Sequence, residues 1–276
     1  MALKVGAVVY APKVTVIWDM IKEYMAERGV EIEPVMYADY KLQVDGLVAK
    51  DIDVAWNSPL AHLDVMQRFG GSEKFGAMRD WDQGVCTFLA VRNDSGIETV
   101  EGLRGKRIGF GATDSPQARL IPIYYLHTQG LEYGKDYEEV TFEVGVGLHG
   151  DHVGGELDSM KALLAGDVDA TFALRDNFEA WTKDGTADAN VVKKIAETPL
   201  YDHCIFSAHD TVDDAELAAF NEALYAMDYN DPTQKEIMDL EGLKEWVPGR
   251  LEGFEQLTRA DEYLGGFLKK FNAGRG

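Results

Sequence analysis

The sequence predicts an α/β protein of two similar lobes, each a mixed, mostly parallel sheet flanked by helices. Three observations lead there. First, one helix–strand unit occurs twice: residues 50–56 read Lys-Asp-Ile-Asp-Val-Ala-Trp and residues 166–172 read Gly-Asp-Val-Asp-Ala-Thr-Phe. Second, each copy follows an amphipathic stretch (42–49 and 157–165) and runs into a polar loop, Asn57-Ser58-Pro59 or Arg175-Asp176-Asn177. Third, strand and helix patterns alternate, which argues for parallel sheets. In open α/β sheets ligands sit outside the carboxyl ends of the strands, so two such lobes would aim both polar loops into one cleft.

The elements follow in order. Residues 3–10 form a first strand, and a helix over 13–28 carries Trp18, Ile21 and Met25 on one side until Gly29 ends it. A strand over 31–37 follows. Asp39 suits the N-cap of a helix over 40–49, and Pro59 suits the start of a helix over 59–69 after the strand 52–56. The apolar run 84–91 is a long strand. A second series continues through a helix over 116–129, a strand near 139–144, a helix over 156–165, a strand over 168–173 and a helix over 177–183. Another apolar strand spans 201–207, and residues 213–273 are mainly helical. The predicted division is residues 1–90 plus 200–276 for the first lobe and 91–199 for the second. Hinge strands are expected near 86–91 and 201–207.

Composition narrows the function classes. The chain has 276 residues, 46% hydrophobic and 11% aromatic, a globular profile with room for one large or two ordinary domains. A net charge of −21 disfavours nucleic acid and anionic membranes as partners and keeps cations open as ligands. No 18-residue apolar run is present, so no membrane insertion is expected. The start reads as a strand and lacks a signal-peptide pattern. The protein is cytoplasmic if Met1 is the native start, and periplasmic or otherwise extracytoplasmic if a signal was removed. Two cysteines, Cys86 and Cys204, are too few for a disulfide framework.

Several stretches then add up. Ala38-Asp39-Tyr40, Asp51 to Trp56 with its loop, the strand 85–91 before Asp94-Ser95, Glu101 to Lys106, Gly111 to Gln117 and Ile121-Pro122 occur in a distinctive order and spacing. In these the chain resembles the type 2 periplasmic solute-binding proteins of the phosphate/phosphite/phosphonate group, over nearly its whole length. The resemblance implies a two-lobed Venus-flytrap receptor. It would capture a small phosphorus oxyanion or phosphonate between its lobes as a monomer, without catalysis, and deliver it to an ABC-transporter permease.

The candidate site residues combine both lines. Ser115 is a natural N-cap and Pro116 suits the first helical position, so the start of this helix can hold an anion through backbone N–H groups, the dipole and the Ser115 hydroxyl. The family places its phosphonate on a Ser/Thr-rich version of this turn. Here Thr113, Ser115 and Gln117 remain, while Asp114 adds a negative charge. The family's His at the next helix start is replaced by Glu156, with His149 and His152 just before it. Acids near Asp176 and Asp202 are where the family holds a ligand amino group, and Cys86 lies near a position that is often aromatic and ligand-contacting. Tyr10, Tyr40, Asn57 and Ser58 come from strand ends of the first lobe. Asp80, Trp81 and Asp82 read as a solvated rim.

The alternatives stay in view. His149, His152 and Glu156 with Cys86 and Cys204 form a donor set suited to a transition metal or metalloid, so a bound metal ion is open although no cofactor is required. On a strand, Asp202 and Cys204 would share one face and His203 the other. A cytoplasmic enzyme of the same fold could use His152 as base and Cys86 as nucleophile.

Overall fold

The computed structural model describes residues 2–151 and 153–275, so His152 lies outside the described residues. The first half opens with β1 (Leu3–Val8), α1 (Lys13–Ala26), β2 (Ile32–Tyr37), α2 (Tyr40–Val48), β3 (Val54–Asn57), α3 (Pro59–Phe69), β4 (Lys74–Phe75) and β5 (Ala77–Arg79). Helix α1 buries Val14, Ile17, Trp18, Ile21 and Met25, the one-sided spacing of an amphipathic helix. Asp39 accepts the Leu42 N–H and so caps α2, as its side chain suggests. Ser58 caps α3, Pro59 opens it, and Gly70 closes it in the left-handed conformation.

The second series is β6 (Thr87–Arg92), β7 (Arg107–Phe110), α4 (Ile121–Thr128), β8 (Glu138–Thr141), α5 (Gly154–Ala165), β9 (Ala170–Leu174), α6 (Arg175–Asp184) and β10 (Val192–Glu197). A π-helical turn, Pro116–Leu120, leads directly into α4. The chain ends with β11 (Ile205–Ala208), α7 (Asp214–Tyr225), α8 (Pro232–Glu241), β12 (Trp246–Pro248), α9 (Glu255–Tyr263) and α10 (Phe267–Ala273). Strand β10 is an addition to the expected elements. Its Lys-Lys-Ile-Ala-Glu run alternates weakly, as suits a strand at a sheet edge.

The two five-stranded sheets have one topology. In the first the order is β2-β1-β3-β11-β4, and in the second β8-β7-β9-β6-β10. In each, the first three strands are parallel and the last two steps are antiparallel. The repeated Asp-x-Asp unit now has a physical cause. The Asp53 N–H donates to the Lys4 carbonyl, and the Asp53 carboxylate accepts the Lys4 N–H at 2.8 Å. Asp169 does the same to Arg107, donating to its carbonyl and accepting its N–H at 2.9 Å. Each second aspartate thus fastens the start of the third strand to the start of the first and sets their register.

Packing repeats the pattern. Two positions beyond Lys4 and Arg107 stand Gly6 and Gly109. A Cβ on Gly6 would lie 2.4 Å from Ile52 Cδ1, and one on Gly109 2.2 Å from Ser159 Oγ. The helix and the preceding loop therefore press onto the bare backbone of the first strand in both sheets. The first core gathers Trp18, Trp56, Phe206, Phe220 and Trp246, with Trp56 and Phe206 centroids 4.6 Å apart. In the second, Phe110 stacks on Phe172 at 5.7 Å beside Ile108, Leu126 and Leu131.

The units differ from the expected division in two places. Unit 1 is Met1–Gly84 with Asp202–Phe254, and unit 2 is Val85–Tyr201 with Glu255–Gly276. Strand β6 is fully part of the second sheet because it pairs with β9 and β10. The last helices also belong to unit 2. Tyr263 donates to Glu132 and stacks on His127 at 4.1 Å, which fastens α9 to α4. Nothing in the helical pattern of 255–273 names its partner, and this is why the boundary was misplaced. Among the described residues no helix is long and apolar enough to cross a membrane.

The clamps carry a direct test. Asp53→Ala and Asp169→Ala each remove a charged acceptor from a backbone N–H and should lower unfolding stability by about 1–2 kcal/mol. Urea unfolding would measure the loss, and an exposed control such as Asp19→Ala should change little. Asp169 is held below the ordinary carboxylate range. Burial raises its pKa, but the backbone N–H and guanidinium of Arg107 more than offset this. Its contribution is therefore present above the unfolded-state pKa and fades as pH falls through the lower folded value.

Candidate functional site

In unit 2 the polypeptide leaves the carboxyl end of β7 and turns through residues 111–115 into the helix. Gly111 is required at this turn, since a Cβ there would stand 2.7 Å from the Ala118 Cβ. Ser115 Oγ accepts the Ala118 N–H at 3.1 Å, and the residue is buried beneath Gly150. The buried Arg119 braces the turn, donating to the Thr113 carbonyl at 3.1 Å while pairing with Glu139 at 2.6 Å. Thr113, Asp114, Ser115 and Gln117 are thus gathered at one turn, as expected.

Two carboxylates of the chain already serve this region. Glu143 accepts the Thr113 N–H at 2.9 Å. Asp114 is fully buried, and its Oδ2 accepts the Gly147 N–H at 2.6 Å and the His149 N–H at 3.4 Å. Gln117 donates from Nε2 to the Gly150 carbonyl at 2.9 Å. Asp114 and Gln117 therefore hold the glycine-rich segment 145–150 in place, and His149 adopts a positive φ of 51° to follow it. Two acceptors here, Asp114 Oδ1 and Gln117 Oε1, are buried and receive no hydrogen bond. Burial raises the Asp114 pKa above the usual carboxylate range, against the opposing pull of the Gly147 and His149 N–H groups and Arg275.

Glu156 bonds within unit 2. Its buried Oε1 accepts the Leu174 N–H at 2.6 Å and the Asn177 amide at 3.0 Å, joining the start of α5 to the start of α6. Asp176 is exposed and pairs with the neighbouring Arg175 at 3.2 Å. Cys86 is buried in unit 2, where desolvation raises its thiol pKa although Arg175 pulls the other way. A buried, protonated thiol is a poor nucleophile.

In unit 1, Asn57 and Ser58 turn inward. Asn57 donates to Ser207 Oγ at 2.9 Å and accepts from Gln43 Nε2 at 2.8 Å, while Ser58 serves as the α3 cap. Tyr40 is buried at the start of α2, and Tyr10 packs partly buried against the first core. Asp202 is held by partners of the chain itself. Arg250 grips both its oxygens at 2.6 and 2.7 Å, and the Gly84 N–H donates to it at 2.9 Å, so its charge is matched within unit 1. Sequence reasoning missed His62, whose Nδ1 lies 2.8 Å from Ser207 Oγ in the same buried network.

Of the expected metal set, Cys204 lies in a different cluster of donors. Among the described residues, the one group of three or more metal-capable donors is Asp82, His203 and Cys204. Residues 202–204 precede β11 and lie outside any strand, so the alternation that set His203 apart from Cys204 does not apply. Asp82 is no solvated rim residue: it is fully buried and held by Arg79 at 2.7 and 2.9 Å. The Arg79 interaction and Asp82's hydrogen bonds offset burial and lower the Asp82 pKa.

A match over most of the chain decides its kinship. A family model described as the periplasmic substrate-binding protein of phosphonate ABC transporters matches residues 8–254. The chain belongs to this family. Its members are substrate-binding proteins and not enzymes, and their partner is an ABC transporter.

Relatives agree with that placement. A probable ABC-transporter phosphite-binding protein of Prochlorococcus marinus is 22% identical over 254 residues, 88% of this chain and 82% of that protein. A phosphate-import protein of Mycolicibacterium smegmatis is 23% identical over 216 residues, 76% of this chain and 66% of that protein. The Prochlorococcus marinus protein solved with methylphosphonate matches at a TM-score of 0.71 and 18% identity, covering 96% of this chain and 98% of that one. These matches establish the type 2 periplasmic binding-protein fold.

Two histidines set a pH dependence for this family member. Burial lowers the pKa values of His62 and His149 from 6.5 to about 3. Between those values the unfolded chain binds more protons than the folded one. Their contribution is present above pH 6.5 and is lost as pH falls toward 3, with a slope of about 1.4 kcal/mol per pH unit for each. Together they should remove about 3 kcal/mol between pH 6.5 and 5. The double variant His62→Gln, His149→Gln should show a markedly flatter decline in urea unfolding over that range.

Proposed function

We propose that this chain is an extracytoplasmic receptor for a small phosphorus oxyanion or phosphonate that carries a proton or an amino group, and that it hands this ligand to an ABC-transporter permease. Family membership supports the receptor role. The relatives named for phosphite and phosphate support a phosphorus ligand. The observation that carries the finer reading is the buried acceptor Asp114 Oδ1, which receives no hydrogen bond and belongs to the residue just before the helix cap Ser115.

A helix start offers positive potential and the Ser115 O–H as donor, which suits an oxyanion. In its ionised form the Asp114 carboxylate can only accept, so in that form it repels a fully deprotonated anion and welcomes a P–O–H or an ammonium group. A buried acceptor left empty costs free energy, and a ligand that fills it recovers that free energy. Sulfonates share the shape of phosphonates but are ionised at neutral pH and bring no acid proton. Glu143 stands in for a ligand on the Thr113 N–H, so an oxyanion reaching that donor must displace it.

Isothermal calorimetry on protein stripped of ligand tests this reading. Methylphosphonate, phosphite and 2-aminoethylphosphonate should bind at least about 10-fold more tightly than methanesulfonate, the discrimination expected when one buried polar group is matched or left bare. Equal affinity for methanesulfonate and methylphosphonate would contradict the role given to Asp114. Asp114→Asn should narrow the difference, because an amide offers a donor to either anion. Glu143→Gln should tighten oxyanion binding by about 3- to 10-fold, since a charged competitor for the Thr113 N–H is removed.

A further inference from the structure

We propose that Asp82, His203 and Cys204 form a buried binding site for a borderline-soft divalent metal ion of the Zn²⁺ class. The site lies wholly in unit 1 and does not depend on which ligand the turn at Ser115 takes. It joins residues far apart in sequence: Asp82 follows β5, and His203-Cys204 lead into β11. The His203 N–H donates to the Asp82 carbonyl at 2.7 Å, and the Cys204 N–H to Asp82 Oδ1 at 3.1 Å, so the two segments are already fastened. All three side chains are at most 4% exposed.

The donor spacing matches a metal. His203 Nδ1 is 3.1 Å from Cys204 Sγ and 3.5 Å from Asp82 Oδ1. With metal–ligand lengths of about 2.0–2.3 Å, a tetrahedral ion needs ligand atoms about 3.4–3.6 Å apart. The imidazole and thiol therefore need to part by only a few tenths of an ångström. Thiolate, imidazole and carboxylate together suit Zn²⁺ better than a hard cation such as Mg²⁺ or Ca²⁺.

The surroundings supply what such a site needs. Arg79 holds Asp82 through Nε and Nη2, fixing the carboxylate as an outer partner does in metal sites. The ion would take the place of the Cys204 N–H, the longest hydrogen bond on Oδ1. The guanidinium also lies close enough to Cys204 to interact with its thiolate form. His203 Nε2 is buried without a partner, so it can carry the ring proton while the Nδ1 lone pair faces the ion. Binding would release one proton, from the Cys204 thiol, as the S–metal bond forms.

Trp81 stacks on the His203 ring, with centroids 5.4 Å apart, and also lines a pocket of about 350 Å³ with Asp80, Asp239 and Lys244. A shift of the Trp81 ring would connect this pocket to His203. A bound ion would then tie the segment after β5 to the start of β11.

The test uses the full chain after chelation and dialysis. Co²⁺ should give a thiolate-to-metal charge-transfer band in the near ultraviolet with visible bands of tetrahedral intensity, and one equivalent of Zn²⁺ should abolish them by displacement. Zn²⁺ should raise the melting temperature by mass action. Cys204→Ser should lose the charge-transfer band and weaken Zn²⁺ binding by about 100-fold or more, and His203→Gln should weaken it similarly. Cys86→Ser should leave band and affinity unchanged. Asp82→Asn is avoided because it would strand the buried Arg79 charge. The proposal is overturned if wild-type protein shows no charge-transfer band, or if the band and Zn²⁺ affinity survive in Cys204→Ser. Circular dichroism and cooperative unfolding of the metal-free variants separate lost ligation from lost fold.

Discussion

The two aspartate clamps, Asp53 on Lys4 and Asp169 on Arg107, are the constraint from which the rest of each unit follows. A strand slipped by one residue would send its core side chains to the wrong face. Each clamp prevents this with a two-way backbone and side-chain bond at the very start of the third strand. With register set, Gly6 and Gly109 fall beneath the helix that precedes the clamp, and the helix can approach the sheet closely. The carboxyl ends of β1, β3, β7 and β9 then come out at defined places, and the polar turns that follow them inherit those places. The same device at the same position in both units explains why a short motif recurs in an otherwise dissimilar sequence.

The second theme is how a strongly acidic chain uses its carboxylates. Many of them are internal ligands for the protein's own backbone. Asp114 holds the 145–150 segment, Glu156 joins α5 to α6, Asp82 receives Arg79 and Cys204, and Asp202 receives Arg250 and Gly84. A buried carboxylate is tolerated only when charges or N–H groups surround it, and each of these has at least one oxygen matched that way. Asp114 also keeps a buried oxygen, Oδ1, that receives no hydrogen bond, next in sequence to the helix cap Ser115.

Much of this was legible in the sequence. The α/β series, the doubled unit, the Asp39 and Ser58 caps and the helix start at Ser115 all rest on local rules of periodicity and capping, and local rules are what a sequence displays. The site residues were less legible, for a physical reason. Whether Asn57, Asp202 or Glu156 faces a ligand or a neighbour depends on partners distant in sequence: Ser207, Arg250 and Leu174. Asp82 looked like a solvated acid beside Trp81 because the Arg79 side chain that buries it gives no signal in hydropathy. The C-terminal helices were assigned to the wrong unit for a similar reason, since the Tyr263–His127 stack joins residues that no short-range pattern links.

The central claim is that an oxyanion carrying a proton or amino group is held between the Ser115 hydroxyl and the free oxygen of Asp114. A crystal structure of the protein with 2-aminoethylphosphonate or methylphosphonate tests it most directly. The account predicts a phosphonate oxygen within hydrogen-bond distance of Ser115 Oγ and a ligand donor within the same distance of Asp114 Oδ1, with Glu143 displaced from the Thr113 N–H. A ligand bound with no contact to Ser115, or with Asp114 Oδ1 still unmatched, would contradict it.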